Sequence, residues 1–236
     1  FQYDAASQAL TYSFADTAAQ YHRFTISATA ENGNSAIKTT DNGSLLQLEN
    51  PFPDTGNHWA KDFINYMAKY GVVSGSDDGD GNLRFLPDNN MTRTEFAIML
   101  CNYLNLNPDD YNDTPLPFTD IADIPWWAVA RVRAVYARGI MQGQLTDYGV
   151  AFKPNDHIRR MEYAISVGRL LPKGLAGAPI TAADGTDIPF WAKEDLKIAT
   201  AQGILNGYPD GTLKPERSVT RAEAVKILYT IFGIGK

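Results

Sequence analysis

The stretches WAKDFINYMAKYGVVSG (59–75), WAVARVRAVYARGIMQG (127–143) and WAKEDLKIATAQGILNG (191–207) fall into one register. Each opens on Trp-Ala, at Trp59, Trp127 and Trp191. Each carries a glycine twelve residues on (Gly71, Gly139, Gly203) and another sixteen on (Gly75, Gly143, Gly207). A register shared three times in one chain marks an internal repeat, and it decides the fold before any single element does. Downstream, each copy reaches a proline (Pro87, Pro154, Pro215), followed six residues on by Arg93, Arg160 or Arg221 and eight on by Glu95, Glu162 or Glu223. Upstream of each tryptophan stands an aspartate: Asp54 in FPD, Asp120 in FTD, Asp184 in AAD.

Helical spacing links Ala60, Ile64 and Met67, and again Ala128, Val132 and Val135, then Ala192, Leu196 and Ala199. This is one apolar face of a first helix, predicted near 59–70, 127–138 and 191–202. The glycine twelve residues after each tryptophan sits where a left-handed C-terminal cap ends such a helix, so positive φ is expected at Gly71, Gly139 and Gly203. A second apolar face follows each proline: Ala97, Leu100 and Leu104, then Ala164, Val167 and Leu171, then Val225, Leu228 and Phe232. It predicts second helices starting near 92, 159 and 220. Thr92 with Glu95 and Thr220 with Glu223 spell capping boxes, while the middle copy has Arg159 in the threonine's place. Each unit of roughly sixty residues is too small to bury its apolar face alone, so the three are expected to pack on each other.

Residues 1–50 differ. LTYSF, YHRFTISATA and SLLQL are β-rich, separated by the turn signals ENGN and DNG, and form a β-rich segment or the tail of a preceding β domain. The organisation expected is therefore 1–50, then repeats at 51–111, 112–176 and 177–236, in a mainly α fold. The opening residues FQYDAASQAL carry neither the basic nor the apolar region of a signal peptide and begin as if in mid-strand, which suggests a piece of something longer.

Composition narrows the function. With 44% hydrophobic residues in 236 and a formal net charge of -6, the chain can bury a core. No apolar run approaches the eighteen residues of a membrane helix, which argues against membrane insertion. A pI near 5.0 without a basic stripe argues against nucleic acid as a partner. Cys101, the single cysteine, lies in the apolar run EFAIMLCNYL, and His22, His58 and His157 bear no catalytic spacing to it, so an inert buried thiol is expected. The acidic loop at 76–82 fails a calcium register, with Leu83 and Asn89 where an EF-hand needs Gly and Glu. No metal site or cofactor is expected.

The segments FPD…WAKDFINYMAKYGVVSG…FLPDNNMTRTEFAIMLCNYL and GILNGYPDGTLKPERSVTRAEAVKILYTIFG resemble the S-layer homology (SLH) repeat. The resemblance covers about residues 51 to 236. It implies three repeats in a compact pseudo-three-fold helical module. The grooves between repeats would hold secondary cell wall polysaccharide, often pyruvylated, at the Gram-positive surface, or modified peptidoglycan in some diderm members. It also implies a noncatalytic anchor outside the cell, on the bacterial cell wall. Departures are IRRME in copy two, the missing Phe in the FxD element of copy three, and the enlarged loop SGSDDGDGNLRF in copy one.

Candidate ligand residues follow. A cation in the first turn of a helix opposes the macrodipole, so three arginines there (Arg93, Arg160, Arg221) need a compensating anion, either an internal carboxylate or a ligand carboxylate held with free helix amides. On the ligand reading they point into inter-repeat grooves, and their loss weakens binding without weakening the fold. Trp59, Trp127 and Trp191 offer flat faces to sugar rings or pack internally. Asp54, Asp120 and Asp184 accept ligand hydroxyls or serve turns and caps. Ser74, Gln142 and Asn206, between the paired glycines, stand at a groove lip. Two rival functions are self-association in a surface lattice and glycan cleavage by a carboxylate pair such as Glu162 and Asp120.

Overall fold

In the computed structural model, residues 2–4, 9–11, 51–77, 79 and 82–232 are described. The chain divides into two compact units, 1–45 and 46–236. In the first, β1 (Gln2–Asp4) pairs antiparallel with β2 (Ala9–Thr11), Tyr3 opposite Leu10. The expected strands in YHRFTISATA and SLLQL lie outside the described residues.

The second unit is helical, with two helices per repeat: α1 (Lys61–Lys69) and α2 (Arg93–Tyr103), α3 (Val129–Ala137) and α4 (Arg160–Gly168), α5 (Lys193–Ala201) and α6 (Arg221–Phe232). A short hairpin joins the helices in the first two repeats, β3 (Ser76–Asp77) with β4 (Leu83–Arg84) and β5 (Gln144–Thr146) with β6 (Gly149–Ala151). The third makes the same reversal by a turn in which Tyr208 N–H donates to the Thr212 carbonyl. No helix among the described residues is long and apolar enough to cross a membrane.

The first helices start two residues later than the spacing predicts. Ala128 N–H bonds back to Pro125 and Ala192 N–H to Pro189, so Trp127 and Trp191 sit in a tight turn that proline sets and the helix follows. The C-terminal ends match expectation: φ is 69° at Gly71, 69° at Gly139 and 72° at Gly203. The predicted apolar faces are the buried ones, with Ala60, Ile64, Met67 and their counterparts fully enclosed.

Second helices pack on first helices of the following repeat, α2 on α3 and α4 on α5, and α6 returns to α1. Phe96, Tyr163 and Ala224 occupy one repeat position on α2, α4 and α6. The rings of Phe96 and Tyr163 lie 4.8 Å apart, and the Tyr163 hydroxyl donates to the Ala224 carbonyl at 2.9 Å. Burial pushes the Tyr163 phenol well above its ordinary pKa. Two large rings and one methyl fill the centre, and the tyrosine's polar end has a partner.

In the first two copies the second glycine passes close to its surroundings. A Cβ at Gly143 would collide with Val150 Cγ1 and lie 2.8 Å from Phe118 Cε1, and one at Gly75 would lie 2.7 Å from Phe52 Cε1. At Gly207 the nearest atom is the Thr212 carbonyl oxygen at 3.4 Å. Gly143→Ala is therefore expected to lower stability by about 1–3 kcal/mol through overpacking, whereas Gly207→Ala leaves the melting temperature nearly unchanged. Thermal unfolding of the two variants checks this, and equal losses would place the constraint elsewhere.

Candidate functional site

The first-turn amides of the second helices are occupied by backbone, not left open for a ligand. Arg93 N–H donates to the Asp156 carbonyl and Thr94 N–H to Pro154; Arg160 and Met161 donate to Arg217 and Pro215; Arg221 and Ala222 donate to Asn89 and Pro87. Each helix start is thus capped by the loop of the following repeat, and the third is capped by the first. Residues Met91, Ile158 and Val219 close a smaller cycle: Met91 donates to Val219, Val219 to Ile158, and Ile158 to Met91, at 2.9 to 3.0 Å.

The three arginines follow the same order. Arg93 reaches the second repeat, with Nε on the Phe152 carbonyl at 2.7 Å, Nη2 on the Gln142 carbonyl at 2.8 Å and Nη1 on Glu162 Oε1 at 3.2 Å. Arg221 does likewise in the first repeat, on the Phe85 and Ser74 carbonyls and on Glu95 Oε1 at 2.9 Å. Arg160 reaches the third repeat, on the Leu213 and Asn206 carbonyls, and its guanidinium lies over the Tyr208 ring at 4.7 Å. Leu213 stands where the other copies have Phe85 and Phe152, so Tyr208 supplies the aromatic face instead. The compensating anion is internal for Arg93 and Arg221. The expectation that these side chains are neutral for stability is therefore corrected: they join one repeat to the next. Burial pulls both guanidinium pKa values down, against the opposing charges of Glu162 and Glu95.

Glu162 shows what the middle copy's Arg159 does. Its Oε1 accepts from Arg93, Gln144 and Arg159, and its Oε2 from the Arg159 backbone N–H. Arg159 also reaches Glu216 of the third repeat at 2.7 Å. The predicted capping boxes at Thr92–Glu95 and Thr220–Glu223 are formed. At Arg159 only the glutamate half remains, because a guanidinium cannot accept an amide. Burial alone pushes the Glu162 carboxyl up, but the Arg159 hydrogen bond and the Arg93 charge outweigh it, and its pKa lies below the ordinary value.

Asp54, Asp120 and Asp184 each use both carboxylate oxygens on successive amides about thirty residues downstream: Phe85 and Leu86, Phe152 and Lys153, Leu213 and Lys214. The second residue of each pair has positive φ, 57° at Leu86, 57° at Lys153 and 50° at Lys214, a costly conformation for a residue with a Cβ. The aspartates hold that turn, which is the capping role rather than a ligand contact. Ser74, Gln142 and Asn206 meet the arginines through their main-chain carbonyls, and the Asn206 side chain donates back to Gly203.

The tryptophans are exposed: Trp59 by 58%, Trp127 by 51% and Trp191 by 63%. Internal packing therefore does not account for them. Trp127 borders a groove of about 320 Å³ between α2 and α3, with Arg131, Ser74, Ser76, Glu95, Asn102 and Arg221 among its walls. A second, polar cavity of about 400 Å³ lies beside Arg159, with Lys153, Asp156, His157 and Glu162. Cys101 is buried and burial raises its thiol pKa. His58 caps the Ala60 amide through Nδ1 and donates from Nε2 to Asp88. Asp78 and Asp80 of the acidic loop lie outside the described residues; no cluster of potential metal ligands occurs among the described ones.

Three segments, 51–97, 117–164 and 184–225, match the S-layer homology domain. The chain belongs to the S-layer homology domain family. Similar proteins include an exoglucanase XynX of Acetivibrio thermocellus, 32% identical over 84% of this chain and 18% of the relative. An S-layer protein of Bacillus thuringiensis subsp. finitimus is 32% identical over 75% of the chain and 21% of the relative. A cellulosome-anchoring protein of A. thermocellus is 29% identical over 61% of the chain and 32% of the relative. The chain thus spans a minor part of each. SLH membership assigns it a cell-surface, cell-wall-associated location and an anchoring role.

Sequence reasoning missed Arg131, Ser76 and Asn102 of this SLH groove. Arg131 recurs in no other copy, so a search for shared positions passes over it. The carboxylate partners Glu95 and Glu162 carry a signal, their fixed offset from the arginines, but that offset reads as capping for Glu95, and for Glu162 as capping or a rival catalytic pair with Asp120, not as a partner for another repeat's arginine.

Two outcomes follow from the arginine pairs. Arg93→Ala is expected to cost about 1.5–3 kcal/mol, because it takes one charged partner from Glu162, which keeps Arg159, and leaves two carbonyls without theirs. Arg221→Ala costs about 1 kcal/mol, since the Glu95 side chain is 37% exposed and screened by water; differential scanning calorimetry reads both. For Glu162 the folded pKa lies below the unfolded value of about 4.3. Its stabilisation is present above that pH and lost as pH falls through the folded value. Between pH 5 and 3 the parent's melting temperature should fall more steeply than that of Glu162→Gln; parallel slopes would remove Glu162 as the acid-sensitive group.

Proposed function

We propose that this chain is a noncatalytic anchoring module, pseudo-three-fold in arrangement, that binds cell wall polysaccharide through its inter-repeat grooves. The observation that carries this reading is the α2–α3 groove. There an exposed indole face stands beside two guanidinium groups, Arg131 and Arg221, in a cleft large enough for a sugar residue. An apolar ring face suits the C–H side of a sugar, and guanidinium groups suit hydroxyls and carboxylates. Arg221 keeps donor capacity for this: its five N–H groups make three hydrogen bonds to protein. Arg93 and Arg160, with Trp59 and Trp191, stand at the equivalent places in the other two grooves.

Asp120 and Glu162 are poorly suited to act as an acid–base pair. Asp120 is committed to two backbone amides, and Glu162 sits under two guanidinium groups with a lowered pKa, the opposite of what a general acid needs. A second reading, lattice self-association, draws on the outward-facing Trp126, Leu145, Tyr148 and Phe190, each at least 86% exposed.

Sedimentation with purified sacculi tests the proposal. A monomeric fraction, selected by analytical gel filtration as part of the test, is expected to pellet with native sacculi and to stay in solution with sacculi stripped of attached polysaccharide, releasing no new reducing ends. Equal retention on both would transfer the ligand to peptidoglycan, and retention that requires self-association would favour the lattice.

A further inference from the structure

The three grooves differ where their walls are completed. Four residues after each tryptophan, on the first helix, stand Phe63, Arg131 and Asp195. Phe63 packs edge-on against Tyr229 of α6, with ring centroids 5.1 Å apart, and so fills the α6–α1 groove with aromatic side chains. Asp195, the counterpart on α5, is a carboxylate. Only Arg131 gives its groove a cation at this place.

The residue after the second glycine differs in the same sense: Ser76, Gln144 and Tyr208. Gln144 donates across the α4–α5 groove to Glu162, whose side chain is 9% exposed, under Arg159 as well. Tyr208 covers Arg160 and meets Arg217, which pairs with Glu223 at 2.7 Å. Ser76 is short and leaves its groove open.

Arg131 itself is uncommitted. Its Nη1 donates to its own helix at the Trp127 carbonyl, a long 3.4 Å contact, and its Nε is buried without a hydrogen-bond partner. No ion pair between described residues includes it. A guanidinium with an orphaned N–H in a cleft is poorly satisfied until an anion arrives. The polar cavity beside Arg159 is a weaker candidate, since Arg159 is already paired with Glu162 and Glu216 and no tryptophan lines it.

We propose that the α2–α3 groove alone takes an anionic sugar and that Arg131 selects its carboxylate. This rests on the polysaccharide reading above and narrows it to one groove, one sugar per module and one charge-reading side chain outside the repeated motif.

The chain has four tryptophans, so four indole N–H resonances report the grooves separately once assigned by Trp→Phe variants. The probes are short carboxylate-bearing fragments of Gram-positive wall polysaccharide and the same fragments after reduction of the carboxylate to an alcohol. On titration with the anionic fragment, the Trp127 resonance is expected to shift while Trp59 and Trp191 stay in place. Arg131→Gln should weaken the anionic fragment about tenfold or more and the reduced fragment by much less, with Arg131→Lys recovering part of the loss. Since Arg131 holds no ion pair among the described residues, its variants should melt near the parent temperature.

Shifts at Trp59 or Trp191 alongside Trp127, or equal losses for both fragments in Arg131→Gln, would overturn the assignment while polysaccharide binding stands. The same holds if the protein pellets with sacculi but no indole responds. If it neither pellets nor responds, both this inference and the broader reading fall.

Discussion

Everything in the helical unit depends on how the second helices begin. An α-helix leaves its first amides without intrahelical partners, and a buried helix start must find acceptors elsewhere. Here the acceptors at Asp156 and Pro154, Arg217 and Pro215, Asn89 and Pro87 belong to the next repeat in each case. A local backbone requirement is thereby met only by assembly. Because those carbonyls lie just past a residue held at positive φ by Asp54, Asp120 or Asp184, the turn that presents them is fixed within its own repeat. Each repeat builds a rigid acceptor for its predecessor and a donor for its successor.

The arginines extend that arrangement from backbone to side chain. A cation at a helix start is electrostatically unfavourable by itself. Placed on two carbonyls, and for Arg93 and Arg221 on a glutamate as well, it becomes a cross-link between repeats. The glutamate that closes a capping box in one repeat is also the anion that receives the arginine of the repeat before it, so one carboxylate serves two helix starts.

Much of this was legible in the sequence. The helix faces at Ile64, Val132 and Leu196, the caps at Gly71, Gly139 and Gly203 and the boxes at Thr92 and Thr220 are local matters, and spacing of three and four residues exposes them. What spacing does not expose is a partner in another repeat. Asp54 and Phe85, or Arg221 and Glu95, are far apart in sequence and meet only because the chain folds back. An arginine fork suits bidentate recognition of a carboxylate, which favours a ligand anion, while the internal partners Glu162 and Glu95 stand in other repeats where no spacing announces them. The groove was harder still: Arg131, Gln144 and Tyr208 matter because they differ between copies, and a repeat is recognised by what its copies share.

Return of α6 to α1 has a mechanical side. A linear stack of repeats has two open ends and can be peeled from either one unit at a time. Here a pull on the backbone near Phe52 meets the first repeat already tied to the third, through Arg221 on Ser74 and Phe85 and through Arg221 and Ala222 amides on Asn89 and Pro87. Those bonds lie at widely separated points of the sequence, so tension loads them together rather than in succession. For a module with an anchoring role, the return of the third repeat to the first joins many weak bonds into a single knot of resistance to force.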